Sequence, residues 1–364
     1  MTLLLLLAVL FLAASNGAND NFKGVAALYG SGSAGYRASL VWASVTTLAG
    51  SLCSVLLARA LLKAFTGAGL VSAHIAAQTD FALAVAGGAG MTVALASWRG
   101  MPISTTHALV GAMSGAGLIA VGSSMHLSSL GKTFLLPLLA SPLLAMIPAL
   151  LLGPPLRRLV ARAAAAPECV CRTDDPLLAA DGSLQLLAMP QTVSASAAEC
   201  AAQGLRPSPW RADARGSVRA LLLLSSGAAS FARGLNDTPK IAALLLPIAA
   251  LDGGRAVLAV GTAMLVGGWF GARRVARTMS DRITRLDLAA ALSASLTTAL
   301  LVSTASVNGL PVSTTHVAVG ALAGAGVTGP GGIDRKVMRG IAMSWIVTLP
   351  VAAVLGALLF GVLR

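Results

Sequence analysis

Long apolar runs, interrupted at a few places by tight clusters of polar residues, set the plan of this 364-residue chain. The segment from Thr2 to Gly30 is almost wholly apolar. Inside it, Asn16-Gly17-Ala18-Asn19-Asp20-Asn21-Phe22-Lys23-Gly24 places an acid, a base and three amides. A helix needs about 20 apolar residues to cross a bilayer, so we read this stretch as two half-helices meeting near mid-membrane at the polar run. Residues 39–64 and 81–97 form the second and third spans, and Trp98-Arg99-Gly100 marks an interface. A fourth span opens at Pro102-Ile103-Ser104-Thr105-Thr106-His107 and carries Gly111, Gly115 and Gly117 behind it; residues 133–152 make a fifth.

The plan then repeats. Residues 218–251 read as a span broken around Asn236-Asp237, followed by 256–271 and 286–305. A span opened by Pro311-Val312-Ser313-Thr314-Thr315-His316 comes next, and 336–363 closes the chain. Asp237 lies 217 residues after Asp20, and His316 lies 209 after His107. We divide the chain into a first transmembrane repeat (1–156), a linker (157–216) and a second repeat (217–364). Five spans per half is an odd number, which predicts opposite orientation of the repeats. The fold class is an all-α membrane protein, an inverted-repeat transporter fold with broken helices and about 10–12 membrane segments once re-entrant pieces are allowed. The linker, rich in Ala, Ser and Pro, reads as mostly irregular or weakly helical.

Composition narrows the class further. The chain is 56% hydrophobic and only 11% charged, with mean hydropathy +0.82. A soluble domain is about one quarter charged, so a large soluble core is excluded. Continuous rather than alternating apolar runs exclude a β-barrel. A formal charge of +13 raises a nucleic-acid partner, but the basic residues sit in gaps between spans, where the positive-inside bias places them. That bias puts the arginines of 157–219 and 273–285 in the cytoplasm, with the protein a multi-pass component of the cell membrane. Leu3 to Ala14 has the length of a signal-peptide core. No cation precedes it and polar site residues follow it, so it is kept as part of the first span. Cys53 lies in a span; Cys169, Cys171 and Cys200, with no nearby His, read as free cytoplasmic thiols.

A charge in lipid costs about 2.5–3.5 kcal/mol on insertion scales, so paired polar breaks point to a solute pathway. Ser104, Thr105, Thr106, Ser313, Thr314 and Thr315 stand at helix starts, whose free N–H groups and dipole attract anions. They supply donors around an anion, or they simply cap their own helices. Asp20 and Asp237 accept only, so with Asn19 and Asn236 they suit a hard cation such as Na+, or a proton. Alternatively they form structural ion pairs with Lys23 and Lys240, three residues on. Lys23 and Lys240 in turn either neutralise these acids or meet the anion. His107 and His316 relay protons, or hold a backbone carbonyl at the helix start. Asn16 and Asn21 read as local backbone partners in the break, and Arg233 as an anion attractor or an interface marker.

Paired Gly-x-Asn-Asp and Pro-x-Ser-Thr-Thr-His motifs, in matched order in both halves, resemble the inorganic phosphate transporter (PiT) family. The resemblance implies a secondary carrier of phosphate coupled to sodium or protons, with anion and ion sites at the repeat interface. Residue by residue, it implies substrate contacts from Ser104, Thr105, Thr106, Ser313, Thr314 and Thr315. Asn19, Asp20, Asn236 and Asp237 correspond to its motif acids and amides. The chain departs from that pattern at Lys23, where a small residue or Asn is usual, and at Arg233, where His is usual.

The expected activity is therefore phosphate uptake by alternating access, with a Na+ or H+ partner, no other cofactor, no nucleic acid and no catalytic residues. A sulfate permease of the same fold is the alternative. A channel and a membrane hydrolase are weaker readings; the hydrolase lacks a Gly-x-Ser-x-Gly elbow and would need a duplicated site. Homo-oligomerisation is left open by the sequence.

Overall fold

The structure is a computed structural model. It describes residues 1–67, 69–165 and 214–364, with the segments 169–173, 177–178, 184–185, 191–195, 202 and 206–207 between the last two. The chain separates into two compact units, one of Met1–Leu156 with Leu222–Arg364 and one of Arg157–Leu221.

Ten long helices are described: α1 (Thr2–Asp20), α2 (Tyr36–Leu57), α3 (Thr79–Trp98), α4 (Thr105–Val121), α5 (Leu136–Ala165), α6 (Ala214–Ala242), α7 (Gly253–Gly271), α8 (Leu288–Val307), α9 (Thr314–Thr328) and α10 (Arg335–Leu363). Among the described residues eight helical segments have the length and composition to cross a membrane. In the large unit apolar side chains form the outer surface as well as the core, and a polar cluster lies buried among them. Leu3, Leu56, Leu143, Leu224 and Leu300 are exposed, while Asn19, Asp20, Asn236, Asp237 and Lys240 are buried. On α1 the buried face runs Leu5, Val9, Leu12, Asn16, Asn19, a helical spacing that carries the polar residues inward in register with the apolar ones. The protein is a multi-pass membrane protein.

The predicted breaks are displaced. Helix α1 continues through Asn16, Asn19 and Asp20; the interruption is the turn and 3₁₀ stretch Lys23–Val25, before the short helix Ala26–Gly30. Helix α6 likewise passes through Asn236 and Asp237, with Pro239 inside it, and loosens only at the 3₁₀ turn Ala243–Leu245. The reason is that tertiary partners satisfy these side chains, so the backbone has no need to open around them. The second span ends at Leu57, with Arg59–Ala64 a separate short helix. The fifth begins as a π-helical stretch, Leu130–Leu135, and continues as α5 with Pro142, Pro148, Pro154 and Pro155 inside it.

The two sequence halves interleave. Helix α7 packs on α1 and α2, and α10 packs on α3 and α4. Glycines permit these crossings at matched places. A Cβ on Gly17 would strike the Met264 carbonyl of α7, and one on Gly234 of α6 would strike that of Thr47 on α2. Gly115 meets the carbonyl of Ala353, and Gly324 that of Met146, in the same way. Small residues let membrane helices approach this closely.

In the small unit, strand 169–173 pairs antiparallel with 191–195 and with 206–207, and 177–178 pairs with 184–185. This corrects the irregular or weakly helical expectation for the linker; alternating residues such as Gln191-Thr192-Val193 suit a pleated strand. The side chains of Cys169, Cys171 and Cys200 lie outside the described residues. Cys53, in α2, is a free thiol.

Candidate functional site

Helices α4 and α9 begin head to head. Each has a serine N-cap: Ser104 Oγ accepts from the His107 N–H at 3.1 Å, and Ser313 Oγ from the His316 N–H at 3.2 Å. These two serines are thus occupied as caps of their own helices. The threonines behind them do something else. Thr315 Oγ1 donates to the Ile103 carbonyl across the repeat boundary at 2.7 Å, and Thr106 Oγ1 faces the Val312 carbonyl at 3.4 Å. Ile103 and Val312 are equivalent positions, as are Thr106 and Thr315, so the contact is reciprocal in the manner of a two-fold interface.

The lysines obey the same symmetry. Lys23 Nζ donates to Ile103 O (2.9 Å) and Thr315 Oγ1 (2.5 Å); Lys240 Nζ donates to Val312 O (2.7 Å) and Thr106 Oγ1 (2.9 Å). Each also pairs with its own acid, Lys23 with Asp20 Oδ1 at 2.5 Å and Lys240 with Asp237 Oδ1 at 3.6 Å. The Phe65 ring lies 5.6 Å from Lys240 Nζ.

The amides tie the acids to the helix starts. Asn19 Nδ2 donates to Ser97 Oγ and to Met101 O, both at 3.0 Å, while its Oδ1 accepts from Lys23 and from the Ile103 N–H. Asn236 is held in the related way by Ser306 Oγ at 3.2 Å, and it donates to Asp237 and Val312 O. Thr314 Oγ1 donates to Asp237 Oδ2 at 3.3 Å.

Asn16 and Asn21, which read from the sequence as local backbone partners, bond instead to side chains. Asn16 Nδ2 donates to Asp20 Oδ2 (3.3 Å) and Thr105 Oγ1 (2.9 Å), and its Oδ1 accepts from Arg233 Nη2 at 2.6 Å. Asn21 accepts from Arg233 Nη1 at 3.1 Å and donates to Ser44 Oγ. Arg233 Nε stands 3.7 Å from Asp237 Oδ2. A continuous chain, Asp20–Asn16–Arg233–Asp237, therefore joins the carboxylates of the two halves. Sequence reading missed Asn16 as a member; the signal was available, because Arg233 follows Asn16 by the repeat offset of 217.

The two histidines also meet, ring centroids 4.7 Å apart, with His316 Nδ1 against Leu138 O at 2.8 Å and its ring over Trp345. His316 thus holds a backbone carbonyl, whereas His107 Nδ1 and His316 Nε2 are buried without a hydrogen-bond partner.

The predicted site residues from both halves thus come together in one network, all of them buried. Asp20, Lys23, Arg233, Asp237 and Lys240 are each under 5% exposed. Three cations face two carboxylates, which leaves a formal excess of one positive charge. The positive ends of α4 and α9 converge on the same place. A cavity of about 730 Å³ adjoins it, lined by Ala18 and Ser97 next to Asn19, and by Arg273, Arg274 and Arg277.

A family model described as the phosphate transporter family matches residues 16–356. Over 106 residues the chain is 40% identical to the low-affinity inorganic phosphate transporter PitA of Escherichia coli K12, which covers 29% of this chain and 21% of that protein. It is 34% identical over 160 residues to a putative phosphate permease of Thermococcus kodakarensis, covering 40% of this chain and 39% of the relative. These matches span well under half the length of the curated relatives. A solved structure titled the sodium-dependent phosphate transporter superposes with a TM-score of 0.75 at 23% identity, covering 100% of this chain and 98% of that one; this likeness shows the fold.

Proposed function

The chain belongs to the phosphate transporter family, and on that footing we propose that it takes up inorganic phosphate through the buried site, driven by a cation and cycling by alternating access. The observation that carries this reading is the unbalanced charge: Lys23, Arg233 and Lys240 against Asp20 and Asp237, all withdrawn from solvent. A buried charge without a partner is costly, and a monoanion at this place restores neutrality. Dihydrogen phosphate is such an anion, and with one coupling cation also bound the hydrogen phosphate dianion balances the same site.

Around the anion, Thr105, Thr106, Thr314 and Thr315 offer hydroxyls, and the first turns of α4 and α9 offer N–H groups without intrahelical acceptors. Lys23 and Lys240 supply positive charge beside it, while Asn19 and Asn236, with the caps Ser104 and Ser313, hold the helix starts in place. Asp20 and Asp237 are the groups proposed for coupling, as ligands of Na+ or as acceptors of H+, two readings that the sodium dependence of uptake separates; no other cofactor and no catalytic group enters the proposal. The cavity lined by Arg273, Arg274 and Arg277 offers the anion a basic exit on the side assigned to the cytoplasm by the arginine pattern.

Uptake of labelled phosphate into proteoliposomes, with unlabelled phosphate, arsenate and sulfate as competitors, tests the substrate. Block by phosphate and arsenate is expected; strong block by sulfate with none by arsenate overturns the choice. Asp20→Asn and Asp237→Asn are each expected to abolish coupled uptake while the protein still inserts. Wild-type uptake in both removes the role given to the carboxylates.

A further inference from the structure

Four oxygens crowd the Lys23 ammonium: Asp20 Oδ1 and Thr315 Oγ1 at 2.5 Å, Asn19 Oδ1 at 2.8 Å and Ile103 O at 2.9 Å. An ammonium has three N–H groups, so this shell holds one acceptor more than it can serve with a straight bond. The composition is also telling. A carboxylate, an amide carbonyl, a main-chain carbonyl and a hydroxyl, gathered from α1, a helix start of one repeat and a helix start of the other, are what a hard cation collects in a transporter site. Lys240 meets the equivalent oxygens, Val312 O at 2.7 Å and Thr106 Oγ1 at 2.9 Å, with Asp237 Oδ1 further out at 3.6 Å. Both ammonium groups reach these places from the turn after their acid, three residues on, on side chains buried to 4% exposure or less.

We propose that Lys23 and Lys240 are tethered cations that fill the two positions a coupling sodium ion would occupy, so that uptake by this chain proceeds without sodium at either place. The proposal deepens the phosphate-carrier reading of the same site and rests on it. Its physical basis is exclusion: a free cation entering the Asp20 shell meets a fixed positive charge already bonded to the same four oxygens, and the neighbouring Arg233 repels it further. The acids then hold the lysines, and of the two coupling ions considered for this site only the proton remains.

The purified full chain tests this in two ways. Phosphate uptake into proteoliposomes is measured with external sodium and with sodium replaced by choline, and saturable binding of labelled sodium is measured in detergent for wild type and Lys23→Ala. Wild-type uptake is expected to change less than about twofold on replacement, and wild type is expected to show no saturable sodium binding. The Lys23→Ala variant, its shell vacated, is expected to bind sodium. A drop of tenfold or more in wild-type uptake in choline, saturable sodium binding by wild type, or a folded Lys23→Ala that binds none overturns the proposal. Should Lys23→Ala fail to fold, the wild-type measurements decide alone. Absence of phosphate accumulation in both media refutes the carrier reading instead, and the binding measurement still decides the lysines.

Discussion

Arg233 and Asn16 hold the same place in the two repeats, and they bind each other at 2.6 Å. A contact between equivalent residues falls on the axis relating the repeats, so one arginine there serves both halves. It supplies the positive charge that the two lysine–aspartate pairs do not cancel. Arg233→Gln keeps a donor for Asn16 and removes that charge. We expect at least a tenfold rise in KM for phosphate, about 1.4 kcal/mol, with insertion retained; an unchanged KM excludes the charge-balance reading. The hydroxyls divide along similar lines. Ser104 caps its helix, so Ser104→Ala should cost about 1 kcal/mol of stability and leave binding the smaller effect. Thr315 bonds Lys23 and Ile103 across the halves, so Thr315→Val should raise KM more than it lowers the melting temperature. Reversal of that order in paired transport and melting measurements contradicts the division.

At the scale of elements, the helix crossings rest on bare backbone. Gly17 against Met264 and Gly115 against Ala353 leave no room for a side chain. Overpacking of this kind costs about 1–3 kcal/mol or more where the neighbour is main chain. Gly17→Val and Gly115→Val are therefore expected to lower the melting temperature in detergent clearly, while Gly340→Ala, which meets nothing within 4 Å, should not. The pattern of apolar runs made nearly every helix legible, because a bilayer demands long uninterrupted stretches. The breaks were misplaced by a few residues. Polarity at Asn19-Asp20 and Asn236-Asp237 was read as a reason to unwind, yet these side chains bond to other helices and leave the helix ladder whole.

For the whole molecule, the large unit contains every candidate site residue, and residues 157–221 form a unit of their own. Replacing 160–212 by a flexible Gly/Ser segment of equal length should therefore preserve phosphate uptake within about twofold. Loss of uptake in a variant that still reaches the membrane would place that segment in the transport cycle. The halves themselves are interleaved rather than side by side, since α7 and α10 pack on α1 to α4. The alternating access proposed for this chain would then repack helix crossings across the repeats, at the same glycines.

The sequence by itself determined the membrane class, the repeat, and most of the polar residues that gather in the buried network, because a charge inside an apolar run is too costly to be incidental and its duplication cannot be local. It could not say which serine caps and which threonine reaches across, nor that Asn16 and Asn21 leave their own helix for Arg233. Those outcomes depend on where the head-to-head starts of α4 and α9 fall relative to α1 and α6. Only the packing of the two halves around a common axis decides that, because each polar group bonds to whichever partner the other repeat brings within about 3 Å.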